Sequence, residues 1–179
     1  ALTPAQVIDL VAYLQSPDGK SKPVAAPEGG VWRVEGVVEG ESLKVLGKTG
    51  GRSSNQKMGG FKASRWSGND HLWWVDAKVG DALTLALPIK EPGTYQLTFV
   101  CTKAHDYGRF ELRLDGKLLT DRGLDLYNPK EVVTTGELDG GRHELTAGEH
   151  KLEVKILTPN PVATPLNMFG LDYLKIEKK

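Results

Sequence analysis

The 179-residue chain carries 23 Lys and Arg against 23 Asp and Glu, one Cys, 21 Gly and 39% hydrophobic residues, the composition of one globular domain with a short appendage. The balanced charge leaves no basic footprint for nucleic acid, no run reaches the ~20 apolar residues that span a membrane, and no basic-then-apolar pattern opens the sequence. The single Cys101 excludes an internal disulfide, a Cys-based zinc cluster and a C-x-x-C-H haem attachment.

The chain opens at Ala1 without Met, so it is expected to be a processed form or an excised piece of something larger. Thr3-Pro4-Ala5-Gln6 reads as a capping box with Pro at the first helical position. Val7, Leu10, Val11 and Leu14 follow at helical spacing until Ser16-Pro17-Asp18-Gly19 stops them. One N-terminal α-helix is therefore expected within residues 1–16, marginal by itself and in need of a partner for its apolar face. Residues 17–30, which include KSKPVAAPEGG, read as a linker.

From residue 31 to 179 the period changes to two. Leu83, Leu85 and Leu87 alternate; Tyr95, Leu97, Phe99 and Cys101 alternate after Pro92-Gly93; Phe110, Leu112 and Leu114 lead to the hairpin signal Asp115-Gly116. Leu152, Val154 and Ile156 follow Gly148, and Leu174 and Ile176 close the series. Short strands with Gly-rich turns predict an all-β fold, a β-sandwich or jelly roll. Leu85, Phe99, Cys101, Phe110, Leu112, Leu114, Val154 and Ile176 are its expected core, with Cys101 a buried thiol.

Three of the four Trp fall in Arg65-Trp66-Ser67-Gly68-Asn69-Asp70-His71-Leu72-Trp73-Trp74. A sugar presents apolar C–H faces and a hydroxyl rim, so its site needs a flat aromatic with polar side chains nearby. Strand neighbours face opposite ways, which makes one of Trp73 and Trp74 core and the other exposed or loop-covered. Trp66, in a polar stretch with Asn69 and Asp70, is the candidate for ligand contact. Two further loops combine acceptor, ring and donor: Asp106, Tyr107 and Arg109 in the first, Asp125 and Tyr127 in the second. Capping of turns explains Asp106 and Asp125 equally well.

Glu41 keeps step with Leu43 and Val45, and Asp172 with Leu174 and Ile176, which places carboxylates at the mouths of inward-facing rows. With Glu39 and backbone carbonyls they could cage a calcium ion through oxygen alone; otherwise they are solvated at the rim or paired with Lys or Arg. Catalytic motifs are absent: no G-x-S-x-G, H-E-x-x-H or phosphate loop. Asp106 and Asp125 could pair for glycoside hydrolysis only as any two carboxylates can, so no catalytic residue is assigned.

Val38-Glu39-Gly40-Glu41, Gly80-Asp81, Pro92-Gly93-Thr94-Tyr95, Leu114-Asp115-Gly116, Leu145-Thr146-Ala147-Gly148-Glu149-His150 and Gly170-Leu171-Asp172-Tyr173-Leu174 occur in this order. In that order they resemble the galactose-binding-like jelly rolls of carbohydrate-binding modules of the family 6 and family 35 type. Ala104-His105-Asp106-Tyr107-Gly108, Asp125-Leu126-Tyr127 and Trp66-Ser67-Gly68 look closer still to a module of large secreted proteins of planctomycete-type bacteria. Val7-Ile8-Asp9-Leu10-Val11-Ala12-Tyr13-Leu14 looks like the last helix of a class I cytochrome c domain, although no haem ligand lies in this chain. The resemblances imply a non-catalytic module that brings an exported, cytochrome-containing protein to polysaccharide. They also imply a structural calcium at Glu39, Glu41 and Asp172, and an extracytoplasmic location. The alternatives are a structural sandwich packed on a neighbouring domain, and a glycan-active enzyme. An exposed Trp66 beside Asp106 and Tyr107 would favour sugar binding, a wholly buried aromatic set the structural role, and two carboxylates across a cleft the enzyme.

Overall fold

The computed structural model describes residues 31–179; the expected helix and linker lie outside the described residues. Trp32–Lys179 form one compact unit. Its first strands are β1 (Val37–Glu39), β2 (Val45–Lys48), β3 (Arg52–Lys57), β4 (Asp70–Val75) and β5 (Ala82–Ile89). There follow β6 (Gly93–Lys103), β7 (Arg109–Leu114), β8 (Lys117–Leu118), β9 (Leu124–Asp125) and β10 (Val133–Thr134). The last are β11 (Leu138–Leu145), β12 (Gly148–Ile156) and β13 (Phe169–Lys178). Helical structure among the described residues is confined to two 3-10 turns, Gly40–Ser42 and Ser67–Asn69, and no described helix is long and apolar enough to cross a membrane.

The strands make two antiparallel sheets. The first runs β10-β6-β13-β4-β3, with β1 also on β13 and β11 also on β6; the second runs β2-β5-β12-β7-β8, with β9 on β7. The all-β sandwich read from the alternation is thus the observed fold. The second sheet contributes Leu83, Leu85, Leu87, Phe110, Leu112, Leu114, Leu152, Val154 and Ile156 to the core, and the first contributes Leu72, Trp74, Leu97, Phe99, Cys101, Phe169, Leu171 and Leu174. Each such side chain removed from water stabilises the sandwich by roughly 1.5–3 kcal/mol. Phe110 and Phe169 meet across it, with ring centroids 5.0 Å apart and planes tilted by 58°. Of the expected core only Ile176 departs: it is half-buried, packed against the edge of the core.

Asp115 (φ 47°) and Gly116 (φ 83°) form the tight turn between β7 and β8, the twin positive-φ pair that a two-residue hairpin loop requires. Elsewhere alternation fails in an informative way. Phe99, Val100, Cys101 and Thr102 of β6 are all buried, as are Phe169 to Leu174 of β13. At this end the outer face of the first sheet is covered as well as the inner one, and what covers it is the segment between β3 and β4.

Candidate functional site

Two polar assemblies stand at that covered end. The first lies where β13 changes partner. One edge of β13 pairs with β4 through Phe169–Leu171 and with β1 through Tyr173–Lys175, while its register against β6 shifts between Leu171 and Tyr173. The 3-10 turn after β1 drops into the gap. A Cβ on Gly40 would lie 2.2 Å from the Leu171 carbonyl oxygen, so only glycine permits this approach. Glu39, Glu41, Asp70 and Asp172 surround the gap, and each keeps one buried carboxylate oxygen with no hydrogen-bond partner among the described residues: Glu39 Oε2, Glu41 Oε2, Asp70 Oδ1 and Asp172 Oδ2.

The other oxygens are held. Ser67 donates its N–H to Asp172 Oδ1 (3.0 Å) and its hydroxyl to Glu39 Oε1 (2.7 Å), Arg33 reaches Glu39 Oε1 at 3.2 Å, and Lys57 pairs with Asp70 Oδ2. Burial, with Glu39 and Glu41 adding repulsion, pushes Asp172 up to about 8. Burial likewise raises Glu41, with Glu39 and Asp70 adding to it. Glu41 and Asp172 thus resist ionisation, and neither has a Lys or Arg paired with it among the described residues. No three side chains form a ready ligand set among the described residues. The phase argument for Glu41 is corrected here: Gly40–Ser42 is a turn and Val45 is exposed, so turn geometry, not strand alternation, brings Glu41 to the cluster.

The second assembly is a cleft of about 210 Å³ on the outer face of the first sheet, lined in part by Gln56, Phe61, Trp73, His105, Asp106 and Tyr107. Register explains the lining. Gln56 pairs with His71 and Ser54 with Trp73 across β3 and β4, so Gln56, His71 and Trp73 share the outward face. Trp73 is half-buried there, while Trp74 points into the core and donates to the Gly50 carbonyl at 3.1 Å. The Trp73 indole N–H is buried against the Tyr107 phenol without a well-formed hydrogen bond among the described residues. Burial, with Asp106 adding to it, pushes the Tyr107 phenol far up, so the ring stays neutral.

Beneath the cleft runs a buried polar chain. Trp66 Nε1 lies 2.8 Å from Thr102 Oγ1, Thr102 Oγ1 lies 2.7 Å from His71 Nδ1, and His71 Nε2 lies 2.8 Å from Gln56 Oε1. Burial lowers His71 to about 3. The ring fits because residue 170 is glycine: a Cβ there would stand 2.6 Å from His71 Cε1 and 3.0 Å from the Thr102 Cβ.

With this geometry in view the likeness to solved structures is confined to fold. No protein-family model and no curated protein matches the sequence. The chain superposes with TM-score 0.68 and 18% identity on Paenibacillus xanthan lyase, covering 89% of this chain and 14% of that one. With a cycloisomaltooligosaccharide glucanotransferase of Paenibacillus sp., solved in complex with cycloisomaltoheptaose, the TM-score is 0.50 at 18% identity, covering 81% of this chain and 19% of the other. The CBM35 of Paenibacillus barcinonensis gives 0.49 at 11% identity, over 80% of this chain and 98% of that one. The chain thus spans less than a fifth of either enzyme.

The residues expected to bind sugar are separated by the fold. Asp106 and Tyr107 line the cleft. Trp66 does not offer a stacking face: it is 1% exposed, its N–H is committed to Thr102, and Phe61 lies over it at 6.1 Å between centroids. A large ring in a polar stretch became the plug that seats this loop on the sheet. Asn69, at φ 57°, closes the turn into β4 by accepting from Met58 N–H at 2.8 Å. Asp70 belongs to the acidic cluster. Arg109 lies in β7 opposite Asp125 in β9; neither of these nor Tyr127 lines the cleft. Asp125 caps its own turn, accepting from Tyr127 N–H (3.1 Å) and from Asn160 Nδ2 (2.8 Å), so it does not face Asp106 as a catalytic partner. Gln56, Phe61, Val132 and Met168 are among the lining residues with no sequence signal for the site, whereas the one-in, one-out rule places Trp73 or Trp74 outside.

Proposed function

We propose that the module binds a carbohydrate chain, without cleaving it, in the cleft lined by Trp73, Phe61, Gln56, Asp106 and Tyr107. The observation that carries this reading is the half-buried Trp73 indole lining one cleft with the Asp106 carboxylate and the Gln56 amide, the combination that suits a sugar's apolar face and hydroxyl rim. The proteins sharing the fold at the higher TM-scores are a xanthan lyase and a glucanotransferase solved with cycloisomaltoheptaose, which supports the same reading. A structural role, packing on a neighbouring domain, is favoured instead by the burial of Trp66 and Tyr107.

The test is affinity electrophoresis through gels containing xylan, mannan, β-galactan, xanthan or polygalacturonate. Retardation by at least one is expected. Trp73→Ala removes a stacking contact worth about 1 kcal/mol and weakens binding several-fold, and Asp106→Asn weakens it less, both with unchanged circular dichroism. A wild type that no polysaccharide retards leaves the structural role.

The chemistry of the acidic cluster suits a hard cation, which would have to draw its side chains together into a ligand set. Glu39, Glu41 and Asp172, joined by Asp70, supply oxygen ligands of the kind calcium takes, and their four unpartnered oxygens are what an ion would satisfy. Bound calcium would supply positive charge and link strands; no chemistry on the sugar is assigned to it. The parent would be an exported multidomain protein, carrying a cytochrome c domain before residue 17, in which this module brings a redox or degradative partner to polysaccharide. That part rests on the resemblance of the Val7–Leu14 stretch alone.

A further inference from the structure

The direction of every hydrogen bond in the buried chain beneath the cleft follows from its first member. An indole nitrogen can only donate, so Trp66 Nε1–H gives its proton to Thr102 Oγ1. The Thr102 hydroxyl still has its own hydrogen to place. Among the described residues the only acceptor within reach is His71 Nδ1, at 2.7 Å. The His71 ring is fully buried with no carboxylate against it and is neutral, with one donor and one acceptor nitrogen. Nδ1 accepts, so Nε2 carries the hydrogen and donates to Gln56 Oε1. An amide whose oxygen is held from below can present only its nitrogen above. Gln56 lines the cleft, and its Nε2 has no hydrogen-bond partner among the described residues.

We infer that Gln56 is the specificity-determining residue of the cleft, locked by the Trp66–Thr102–His71 chain as a pure hydrogen-bond donor, so that the ligand is an uncharged sugar accepting from Gln56 and donating to Asp106. This rests on the sugar-binding reading above and deepens it. A free glutamine flips its amide to suit either polarity; this one is held to a single polarity, because reversing it would set two donors, or two acceptors, against each other inside a dry site. The Asp106 carboxylate on the same cleft repels a uronate, which leaves neutral sugars. Gly170 is the second, independent sign that the chain is built in. Its missing side chain is the space the imidazole occupies, so the backbone of β13 is shaped around His71. Thr102 and His71 are positioning residues, since neither lines the cleft.

Two measurements test this on the whole chain. The first needs no sugar: long-range proton–nitrogen correlation spectra of the wild type read the His71 tautomer directly. An Nε2–H imidazole is expected, and an Nδ1–H imidazole overturns the inference. The second uses whichever of xylan, mannan, β-galactan, xanthan and polygalacturonate retards the wild type. Gln56→Glu keeps an oxygen on His71 Nε2–H and replaces the donor above by an acceptor, so affinity falls about ten-fold or more while the fold remains. Thr102→Val loses the hydroxyl that fixes the tautomer; it yields a mixed-tautomer spectrum and weaker binding, and Thr102→Ser restores both. Full affinity in Gln56→Glu, or retardation only by the acidic polymers polygalacturonate and xanthan, overturns the assignment of Gln56. Absence of any retardation of the wild type overturns the sugar reading itself, and the tautomer spectrum then still decides whether the relay runs in the stated direction.

Discussion

His150 and Asp115 show what one pair of side chains contributes away from the cleft. His150 Nδ1 stands 2.5 Å from Asp115 Oδ2 and Nε2 stands 2.9 Å from the Thr146 carbonyl oxygen. The Asp115 hydrogen bond first, and the Thr146 carbonyl second, raise His150 above its ordinary 6.5. Burial pushes Asp115 up, but His150 and the Lys151 N–H outweigh it and hold Asp115 below its ordinary 3.8. A histidine raised on folding gives stability that is complete below pH 6.5 and disappears as pH climbs through the folded value. A carboxylate held down gives stability present above 3.8 and lost in acid. The pair therefore contributes most between those limits. Asp115 is 44% exposed, so solvent screening keeps the effect under about 1 kcal/mol. Melting temperature should fall by a few degrees from pH 6 to pH 8.5. Asp115→Asn, which tolerates the positive φ and can still accept from Lys151 N–H, should flatten that slope; an unaltered slope would assign it to other groups.

At the scale of strands and turns, glycines mark the closest approaches, and they differ in what they approach. The Cβ of Gly40→Ala would meet a backbone carbonyl at 2.2 Å, that of Gly170→Ala a side-chain ring at 2.6 Å, and that of Gly60→Ala nothing within 4 Å. Overpacking against a buried ring costs about 1–3 kcal/mol. Urea denaturation should thus rank Gly60→Ala near wild type, Gly170→Ala lower by that amount, and Gly40→Ala lowest or unfolded. Equal midpoints for all three would remove the close packing on β13.

The same elements explain what could be read in advance. β5, β7 and β12 have one wet face, so their leucines alternate and the strands are visible in sequence. β3, Arg-Ser-Ser-Asn-Gln-Lys, has no apolar period at all and was missed, and Gln56 with it. Strand status there is imposed by pairing with β4, a tertiary fact. Trp66 stands out in the sequence as a large ring in a polar stretch, but its orientation does not, because nothing local says that Thr102, 36 residues away, awaits its N–H. Glu39, Glu41 and Asp172 are legible together, whereas Asp70 reads as part of the Trp66 loop, and the turn that brings Glu41 to the cluster has no sequence signal. Glu39 ends β1, Asp70 opens β4 and Asp172 lies at the register shift of β13, positions that alternation alone does not bring together.

For the whole molecule the acidic gap is a point where distant segments meet: the end of β1, the turn after it, the start of β4 and the bulge of β13. Glu39 and Asp70 repel Glu41, and Glu39 and Glu41 repel the buried Asp172, a cost that a bound calcium would relieve. An ion bound only by the folded state stabilises by linkage, about 2.7 kcal/mol at one hundred times its dissociation constant. Calcium added to chelator-treated protein should raise the melting temperature by several degrees. Asp172→Asn should melt no lower than the metal-free wild type and should not respond to calcium. A wild-type melting curve indifferent to calcium would reassign the cluster to a metal-free role.

The position of β13 also bears on how the molecule is made. It bridges β6 on one side and β4 with β1 on the other, yet it follows all three in the chain. During synthesis β1, β4 and β6 emerge and wait without the strand that joins them, each with a row of unpaired backbone groups. The second sheet can close earlier, because β2, β5, β7 and β12 are all out before β13. Until β13 emerges the sandwich is half-built, and its open sheet is the one that later carries the cleft. In that interval the nascent chain is most exposed to misassociation with its own copies.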